Sequence, residues 1–238
     1  MIESKGMVKD FETQLLKKDG NPIWVCLNAR TVRDESGVLL YYEGFMQDIT
    51  ERKQAQDELY RVSIHDHLTG ICNRRYVFER LNAIVEERQR ETRDFSLSII
   101  DLDFFKKIND THGHPAGDHI LREFALILSE SFRPYDLVGR YGGEEFIVVA
   151  MNIDIAQTRN MLERFRDIVK ARIFDFNGTQ IRLTFSAGVA NTYEPGLKMT
   201  VEDLIRKADE RLYLAKEQGR DRIVYESSKP GPGAVIMP

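Results

Sequence analysis

The feature that most limits how this chain can fold is an apolar run that ends in acids. Phe95 to Leu102 is composed almost wholly of residues suited to a strand, with Leu97, Ile99 and Ile100 at its centre, and it leads into Asp101-Leu102-Asp103. Ser96 and Ser98 are the only polar residues before Asp101, so the segment reads as a buried strand whose sheet carries helices on its faces. The sequence on either side supplies the covers. Arg75 to Arg90 carries Phe78, Leu81 and Val85 at helical spacing, and Pro115 to Phe132 carries Ile120, Phe124, Ile127 and Leu128. Ile155 to Arg172 and Val201 to Glu217 read as further helices, and Leu137 to Tyr141, Glu145 to Met151 and Ile181 to Ala190 as further strands. Gly142-Gly143 is expected as the two-residue turn of a hairpin. The fold class is therefore α/β (α+β), a mixed sheet with helices on its faces.

Upstream, residues 11–49 have a different period. Ile23, Val25, Leu27 and Ala29 alternate with smaller or polar neighbours between two turn clusters, Asp19-Gly20-Asn21-Pro22 and Asp34-Glu35-Ser36-Gly37. Leu40, Tyr42, Gly44 and Met46 follow, giving a three-stranded antiparallel meander with one apolar face. About fifty residues are too few to bury a good core alone, so another element is needed to cover it. Thr50-Glu51-Arg52-Lys53 opens a helix with Thr50 as N-cap. Ala55, Leu59 and Val62 form a narrow stripe on it, which suits either a connecting coiled coil or a plain linker helix.

Composition narrows the function. Among 238 residues, 34 Lys and Arg face 38 Asp and Glu, so no broad basic surface for nucleic acid is implied. Cys26 and Cys72 have no Cys/His partners at ligand spacing, which argues against a disulfide framework or a structural zinc and for a reducing compartment. No apolar run approaches the roughly 20 residues of a membrane span, and Met1 to Glu12 has no signal-peptide core. The expectation is a cytoplasmic protein without membrane or nucleic-acid partners.

Four groups of residues suggest chemistry. Asp101 and Asp103, two apart at a strand end, project to one side and suit Mg2+; a solvated strand end is the plain alternative. Arg140-Tyr141-Gly142-Gly143-Glu144-Glu145-Phe146 combines glycines that admit a ligand close to the backbone with Glu144, which can complete a carboxylate site if the hairpin lies beside the Asp101 strand. Lys106 and the backbone N–H groups of Phe104 and Phe105 can balance phosphate charge. Asn109 and Asp118 offer donors and acceptors complementary to a guanine edge, although Asp110 and Asp118 flank a helix start and read as helix caps on composition alone.

Taken together, Asp101-Leu102-Asp103-Phe104-Phe105-Lys106, Asn109-Asp110, Gly113-His114, Gly117-Asp118 and Gly142-Gly143-Glu144-Glu145-Phe146 resemble the GGDEF diguanylate cyclase family, in its GGEEF form. Asp66-His67-Leu68-Thr69-Gly70, Asn73-Arg74-Arg75, Ala208-Asp209, Tyr213, Ala215-Lys216 and Gly219-Arg220 extend the resemblance over about 65–226. It implies a nucleotidyl-cyclase-like fold and the condensation of two GTP into cyclic di-GMP and pyrophosphate with Mg2+ or Mn2+. Each subunit would hold one GTP, so the resemblance implies a homodimer.

For single residues it implies Asp101, the Leu102 carbonyl and Glu144 as metal ligands, with Asp103 supporting them. Asn109 and Asp118 would read guanine. Phe104, Phe105 and Lys106 would lie on the phosphate side, joined by Lys216 and Arg220. Gly142 and Gly143 would admit the α-phosphate, with Glu145 the second acid of the signature. The proton acceptor stays open between Glu144 and a metal-bound hydroxide. Arg133-Pro134-Tyr135-Asp136 has the spacing of the family's inhibitory RxxD site for cyclic di-GMP, with Arg164 a secondary contact; an ordinary surface ion pair is the alternative. Ile71, Cys72 and Asp221 depart from the family's usual Leu, Pro and Asn.

Asp19-Gly20, Ile23-Trp24-Val25, Arg33-Asp34-Glu35-Ser36-Gly37, Gly44 and Asp48-Ile49-Thr50-Glu51-Arg52-Lys53 resemble the C-terminal half of a PAS domain. The expected organisation is a partial PAS at 1–49, a connecting helix at 50–64, the GGDEF domain at 65–226 and a disordered tail at 227–238.

Overall fold

The structure, a computed structural model, describes residues 6–90, 94–192 and 200–225. The tail expected from 227 lies outside the described residues. The chain divides into two compact units, Met1–Val62 and Ser63–Pro238.

In the first unit β1 (Met7–Leu16), β2 (Pro22–Arg33) and β3 (Leu39–Asp48) form the expected antiparallel meander. The register sets Leu27 opposite Met46 and Ala29 opposite Gly44, so the two alternating apolar sets share one face. Only Gly fits at position 44, because a Cβ there would stand 2.3 Å from the Asn28 carbonyl oxygen. Of those apolar sets only Val25 is fully buried, and β3 exposes Tyr41 and Phe45 as well as Tyr42 and Met46.

Helix α1 (Thr50–Ile64) follows, but Thr50 does not cap it as expected. Its hydroxyl instead accepts the Trp24 N–H at 2.9 Å, and the Asp48 carboxylate takes the Thr50 N–H. The helix start is thus tied to β2 by a bond that no local pattern encodes. Leu59 and Val62 of the α1 stripe are exposed.

The second unit is built on a five-stranded sheet in the order β10-β9-β4-β6-β5. Its members are β4 (Phe95–Leu102), β5 (Leu137–Gly142), β6 (Glu145–Met151), β9 (Phe185–Asn191) and β10 (Arg222–Val224). All neighbours are antiparallel except β9 and β10, so the sheet is mixed. Every residue of the central strand β4 is buried. Its side chains alternate between two cores. Leu97 and Ile99 pack with Val77 and Leu81 of α2 (Arg74–Arg90) and with Leu204, Ala208 and Leu212 of α6 (Val201–Glu217). Ile100 and Leu102 pack with Phe124 and Leu128 of α4 (His114–Ser131) and with Leu162 and Phe165 of α5 (Ile155–Ala171). Helices therefore cover both faces, and Ser96, polar within the strand, is buried with a hydrogen bond to Thr158 Oγ1 and one from Asn191 Nδ2. Among the described residues no helix is long and apolar enough to cross a membrane.

Two elements differ from the sequence reading. The strand expected at Ile181–Ala190 is split. A short hairpin, β7 (Phe174–Phe176) and β8 (Thr179–Ile181), turns on Asn177-Gly178, both at positive φ, and β9 begins only at Phe185. A helix α3 (Phe105–His112), not foreseen, connects β4 to α4.

The β9–α6 contact yields a stability prediction. Gly188 faces α6 so closely that a Cβ would stand 2.1 Å from the Ala208 carbonyl oxygen and 2.3 Å from the Leu212 nitrogen. Both are backbone atoms that cannot swing aside. Gly188→Ala is expected to destabilise the unit by about 3 kcal/mol, read as a lower urea midpoint. An unchanged midpoint would show that α6 can lift off the sheet at little cost.

Candidate active site

The site lies where β4 ends, beside the turn between β5 and β6. Asp101 continues the alternation of Leu97 and Ile99, so its carboxylate emerges on the α6 side, where Lys216 Nζ lies 2.8 Å from Oδ2. Across the ladder Asp101 pairs with Glu145, and the Leu102 N–H donates to the Glu144 carbonyl at 3.3 Å. The hairpin thus does lie beside the Asp101 strand and brings Glu144 and Glu145 to it. The turn is shifted from the expected position: Gly142 opposes Glu145, so Gly143 and Glu144, not Gly142 and Gly143, form the two-residue loop. Gly143 has φ +42°, which a side chain rarely tolerates.

Asp103 departs from the paired-carboxylate expectation. The strand stops at Leu102, and Asp103 turns into the loop. There it accepts from Thr184 Oγ1 at 2.8 Å, Ser186 Oγ at 2.7 Å and the Asp221 N–H at 3.0 Å. A carboxylate so fully engaged fixes the strand end and has a supporting place beside Asp101.

The electrostatics are those of crowded acids. Burial pushes the Asp101 carboxyl up; Lys216 pulls it back, while Glu144 and Asp103 push it further up. Burial and the Asp101 charge raise Glu145 in the same way, and burial raises Asp209 on α6. A bound cation would relieve this repulsion. Among the described residues no three His, Cys, Asp or Glu side chains converge as a cage. The donors offered are two carboxylates, Asp101 and Glu144, and the Leu102 carbonyl. That set fits Mg2+ or Mn2+, since Mg2+ is typically held by one or two carboxylates together with nucleotide phosphates. The Lys216 ammonium against Asp101 shows that a positive charge is accommodated there.

Phe104, at φ +57°, begins the reversal into α3 and leaves its ring exposed, with the Arg220 guanidinium 4.7 Å from the ring centroid. Phe105 is buried in the core, so of the phosphate-side trio it can contribute only backbone. Its N–H is among the first of α3, which have no intrahelical acceptor. Lys106 is exposed.

Helices α3 and α4 pack so closely that Asn109 lies against Gly117; a Cβ at 117 would stand 1.9 Å from Asn109 Oδ1. That oxygen is buried without a hydrogen-bond partner, and Asp118 is the next residue of α4. The helix cap is Gly113, with no side-chain cap bond, so Asp118 is not a cap. The Asn109 side-chain oxygen thus has acceptor capacity to spare, which a ligand's N–H groups would use.

Arg133 and Asp136 line a surface groove of about 780 Å³ with Thr69, Tyr76 and Arg80. The Asp136 carboxylate already accepts the Arg133 and Met151 N–H groups, both at 3.0 Å. Arg133 is exposed and folds over the Tyr135 ring, donating to its hydroxyl. Arg164 is exposed on α5 and does not line this groove.

One positioning pair was not read from the sequence. Arg140 Nε and Nη2 donate to the Gly143 carbonyl at 3.0 and 2.8 Å, and Nη1 meets Asp66 at 3.1 Å. Burial pushes Asp66 up, but its bonds from Thr69 and the Arg140 charge outweigh this and hold it below the usual range. A guanidinium engaged on both sides clamps the glycine turn to the Asp66–Gly70 segment. The only sequence signal was an Arg two residues before the glycine pair.

Comparison with known proteins agrees with this geometry. Residues 63–222 match the family described as "Diguanylate cyclase, GGDEF domain", and residues 1–51 match a PAS domain family. The chain belongs to the GGDEF diguanylate cyclase family. It is 41% identical over 174 residues to the response regulator PleD of Caulobacter vibrioides, covering 72% of this chain and 38% of that protein. It is 39% identical over 163 residues to the diguanylate cyclase DgcP of Pseudomonas aeruginosa, covering 68% of this chain and 24% of that protein. The chain thus spans well under half the length of these relatives. Among solved structures, the GGDEF domain of DgcB from Caulobacter crescentus in complex with c-di-GMP superposes with a TM-score of 0.64 at 29% identity, covering 68% of this chain and 95% of that one.

Proposed function

We propose that this chain is a diguanylate cyclase that condenses two GTP into cyclic di-GMP with release of two pyrophosphates, as a metal-dependent homodimer. The observation that carries the reading is the convergence of Asp101, Glu144 and the Gly143 turn, together with the unsatisfied buried side-chain oxygen of Asn109 next to Gly117. Asp118 accepts from the guanine N1–H and N2–H2 groups while Asn109 both donates and accepts, which selects guanine over adenine. Lys216, Lys106 and Arg220 meet the phosphates. Gly142 and Gly143 leave room for the α-phosphate beside the backbone.

The 3′-oxygen of each GTP attacks the α-phosphorus of the other, so that two 3′-O–P bonds form, two bonds to the bridging oxygens of pyrophosphate break, and two pyrophosphates leave. One chain holds one nucleotide, so two chains must face each other about a two-fold axis. Asp101, Glu144 and the Leu102 carbonyl would hold Mg2+ or Mn2+, which when bound neutralises phosphate charge and acidifies the attacking hydroxyl. Glu144, at the loop tip, is the carboxylate offered to that hydroxyl's proton. Glu145 and Asp103 keep Asp101 and the strand end in place.

Incubation of the purified protein with GTP and Mg2+ tests the reading: cyclic di-GMP and pyrophosphate should appear in a ratio of one to two. Nucleotide binding without product would make the chain a receptor instead. Asp118→Ser is expected to reduce discrimination against ATP by about tenfold or more, the scale of losing a charged hydrogen-bond acceptor. Unchanged selectivity would place guanine recognition elsewhere.

Product inhibition at Arg133 and Asp136 is part of the proposal. The c-di-GMP complex of the DgcB domain supports ligand binding by this fold. The exposed Arg133 guanidinium can stack on guanine and fork to phosphate. Arg164 would be supplied by the partner chain, consistent with its distance in sequence and its absence from the groove. Arg133→Ala should leave the initial rate intact and straighten progress curves that otherwise slow as product accumulates. Equal cyclic di-GMP affinity in the two proteins would refute this role.

A further inference from the structure

Past the end of α6 the backbone does something costly. Gly219, Arg220 and Asp221 have φ of +109°, +63° and +46°, three consecutive residues in a region that non-glycine residues rarely enter. Such strain persists only where the surroundings over-determine it. Here they do so chiefly through Asp221. Its N–H donates to Asp103 Oδ2 at 3.0 Å, and its carbonyl accepts from Arg166 Nη1 at 3.3 Å. Its carboxylate takes Lys170 Nζ at 2.5 Å and faces Arg166 Nε at 3.8 Å. Arg166 and Lys170 both project from α5, so the turn is fastened to a helix on one side and to the strand-end acid on the other. Asn and Asp are the side chains best suited to left-handed backbone, but only Asp carries the charge these two cations meet.

The consequence falls on Arg220. With the backbone held on its C-terminal side by Asp221 and its N–H donated to the Ala215 carbonyl at 3.0 Å, its side chain is delivered over Phe104. Phe104 is itself left-handed and exposed, at the opening of α3. Among the described residues the Arg220 guanidinium meets no carboxylate. Lys170 spends its charge on Asp221, and Arg166 divides its own between Glu163 at 3.2 Å and Asp221 at 3.8 Å; Arg220 keeps its own for an anion.

We propose that Asp221 is a positioning residue for the nucleoside triphosphate. Held by Lys170 and Arg166, it locks the left-handed turn so that Arg220, braced on Phe104, is presented to the phosphates before substrate arrives. The inference rests on the assignment of Arg220 to the phosphate side and extends it to residues on α5.

The test is initial-rate kinetics of pyrophosphate release from GTP, separating KM from kcat. Arg220→Ala should raise KM, and Asp221→Ala should raise it about tenfold with kcat changed by less than about twofold, the signature of lost binding rather than lost chemistry. Because Asp221 acts through Arg220, the double variant should be no worse than Arg220→Ala alone. Asp221→Asn, which suits the same backbone but lacks the charge that Lys170 and Arg166 meet, should recover only part of the loss, and full recovery would overturn the role of the ion pairs. Lys170→Met changes a half-exposed side chain with little risk to folding and should raise KM about threefold, a smaller loss because Arg166 still holds Asp221. Additive effects in the double variant, or an unchanged KM in both Asp221→Ala and Lys170→Met, overturn the proposal. An unchanged KM in Arg220→Ala removes the Arg220 assignment and the proposal with it, while product formation by the parent protein still stands as evidence for the cyclase reading.

Discussion

Glu144→Gln is expected to give a folded protein that makes almost no cyclic di-GMP. The substitution preserves volume and shape and removes one negative charge at the loop tip beside Asp101. Loss of a group placed to meet developing charge costs about a thousandfold in kcat, roughly 4 kcal/mol. Stability should not fall. The Glu144 charge is one of those pushing the Asp101 carboxyl up, so neutralising it relieves repulsion in the unliganded site. Asp101→Asn should behave in the same direction. The measurement is kcat for GTP condensation alongside the thermal midpoint. Near-normal turnover with an unchanged midpoint would remove Glu144 from the reaction, whereas loss of both would mean the turn itself had collapsed.

Gly117→Ala is expected to cost GTP recognition while leaving the fold intact. A Cβ at this position would stand 1.9 Å from Asn109 Oδ1, 3.0 Å from Asn109 Cγ and 3.1 Å from Phe105 Cζ. The atoms nearest to it belong to the Asn109 amide, which can rotate away, unlike the backbone atoms that crowd Gly188. Position 117 is inside a helix, where Ala is favoured over Gly by about 1 kcal/mol, and this offsets part of the crowding. Asn109 would then leave its place beside Asp118. Its hydrogen bonds to guanine, each contributing about 1 kcal/mol, would be lost, raising KM for GTP about tenfold or more. Thermal unfolding and GTP kinetics on the same sample check both halves. An unchanged KM would mean that Asn109 does not read the base.

Much of the second unit was legible because its signals are local. The mostly apolar segment Phe95–Leu102 reads as a buried strand, and helix-period stripes in Arg74–Arg90 and His114–Ser131 mark two of the helices that cover it. The adjacency of Asp101 to the glycine hairpin stays conditional in the sequence, and the antiparallel pairing of β4 with β6 supplies it. Asn177-Gly178 is an equally local turn signal, but the apolar residues from Ile181 onward read as one continuous strand and mask the short hairpin before it. Helix α3 was obscured by its length: eight residues give barely two turns, too short for a period to emerge.

The sequence by itself determined which residues are apolar, at what period they recur, and which acids, amides and glycines stand at the ends of elements. Those are properties of neighbours along the chain. Only the tertiary structure decided where the turn closes, Gly143-Glu144 rather than Gly142-Gly143, and that Asp103 leaves the strand to accept three bonds. It also decided that Thr50 serves β2 instead of its own helix, and that Phe105 belongs to the core while Phe104 faces outward. The Arg140 clamp joins residues 74 positions apart, and the Asp221 bond to Asp103 spans 118. Hydrogen bonds and ion pairs between distant segments depend on which side chains packing brings within about 3 Å, and no periodicity along the chain records that.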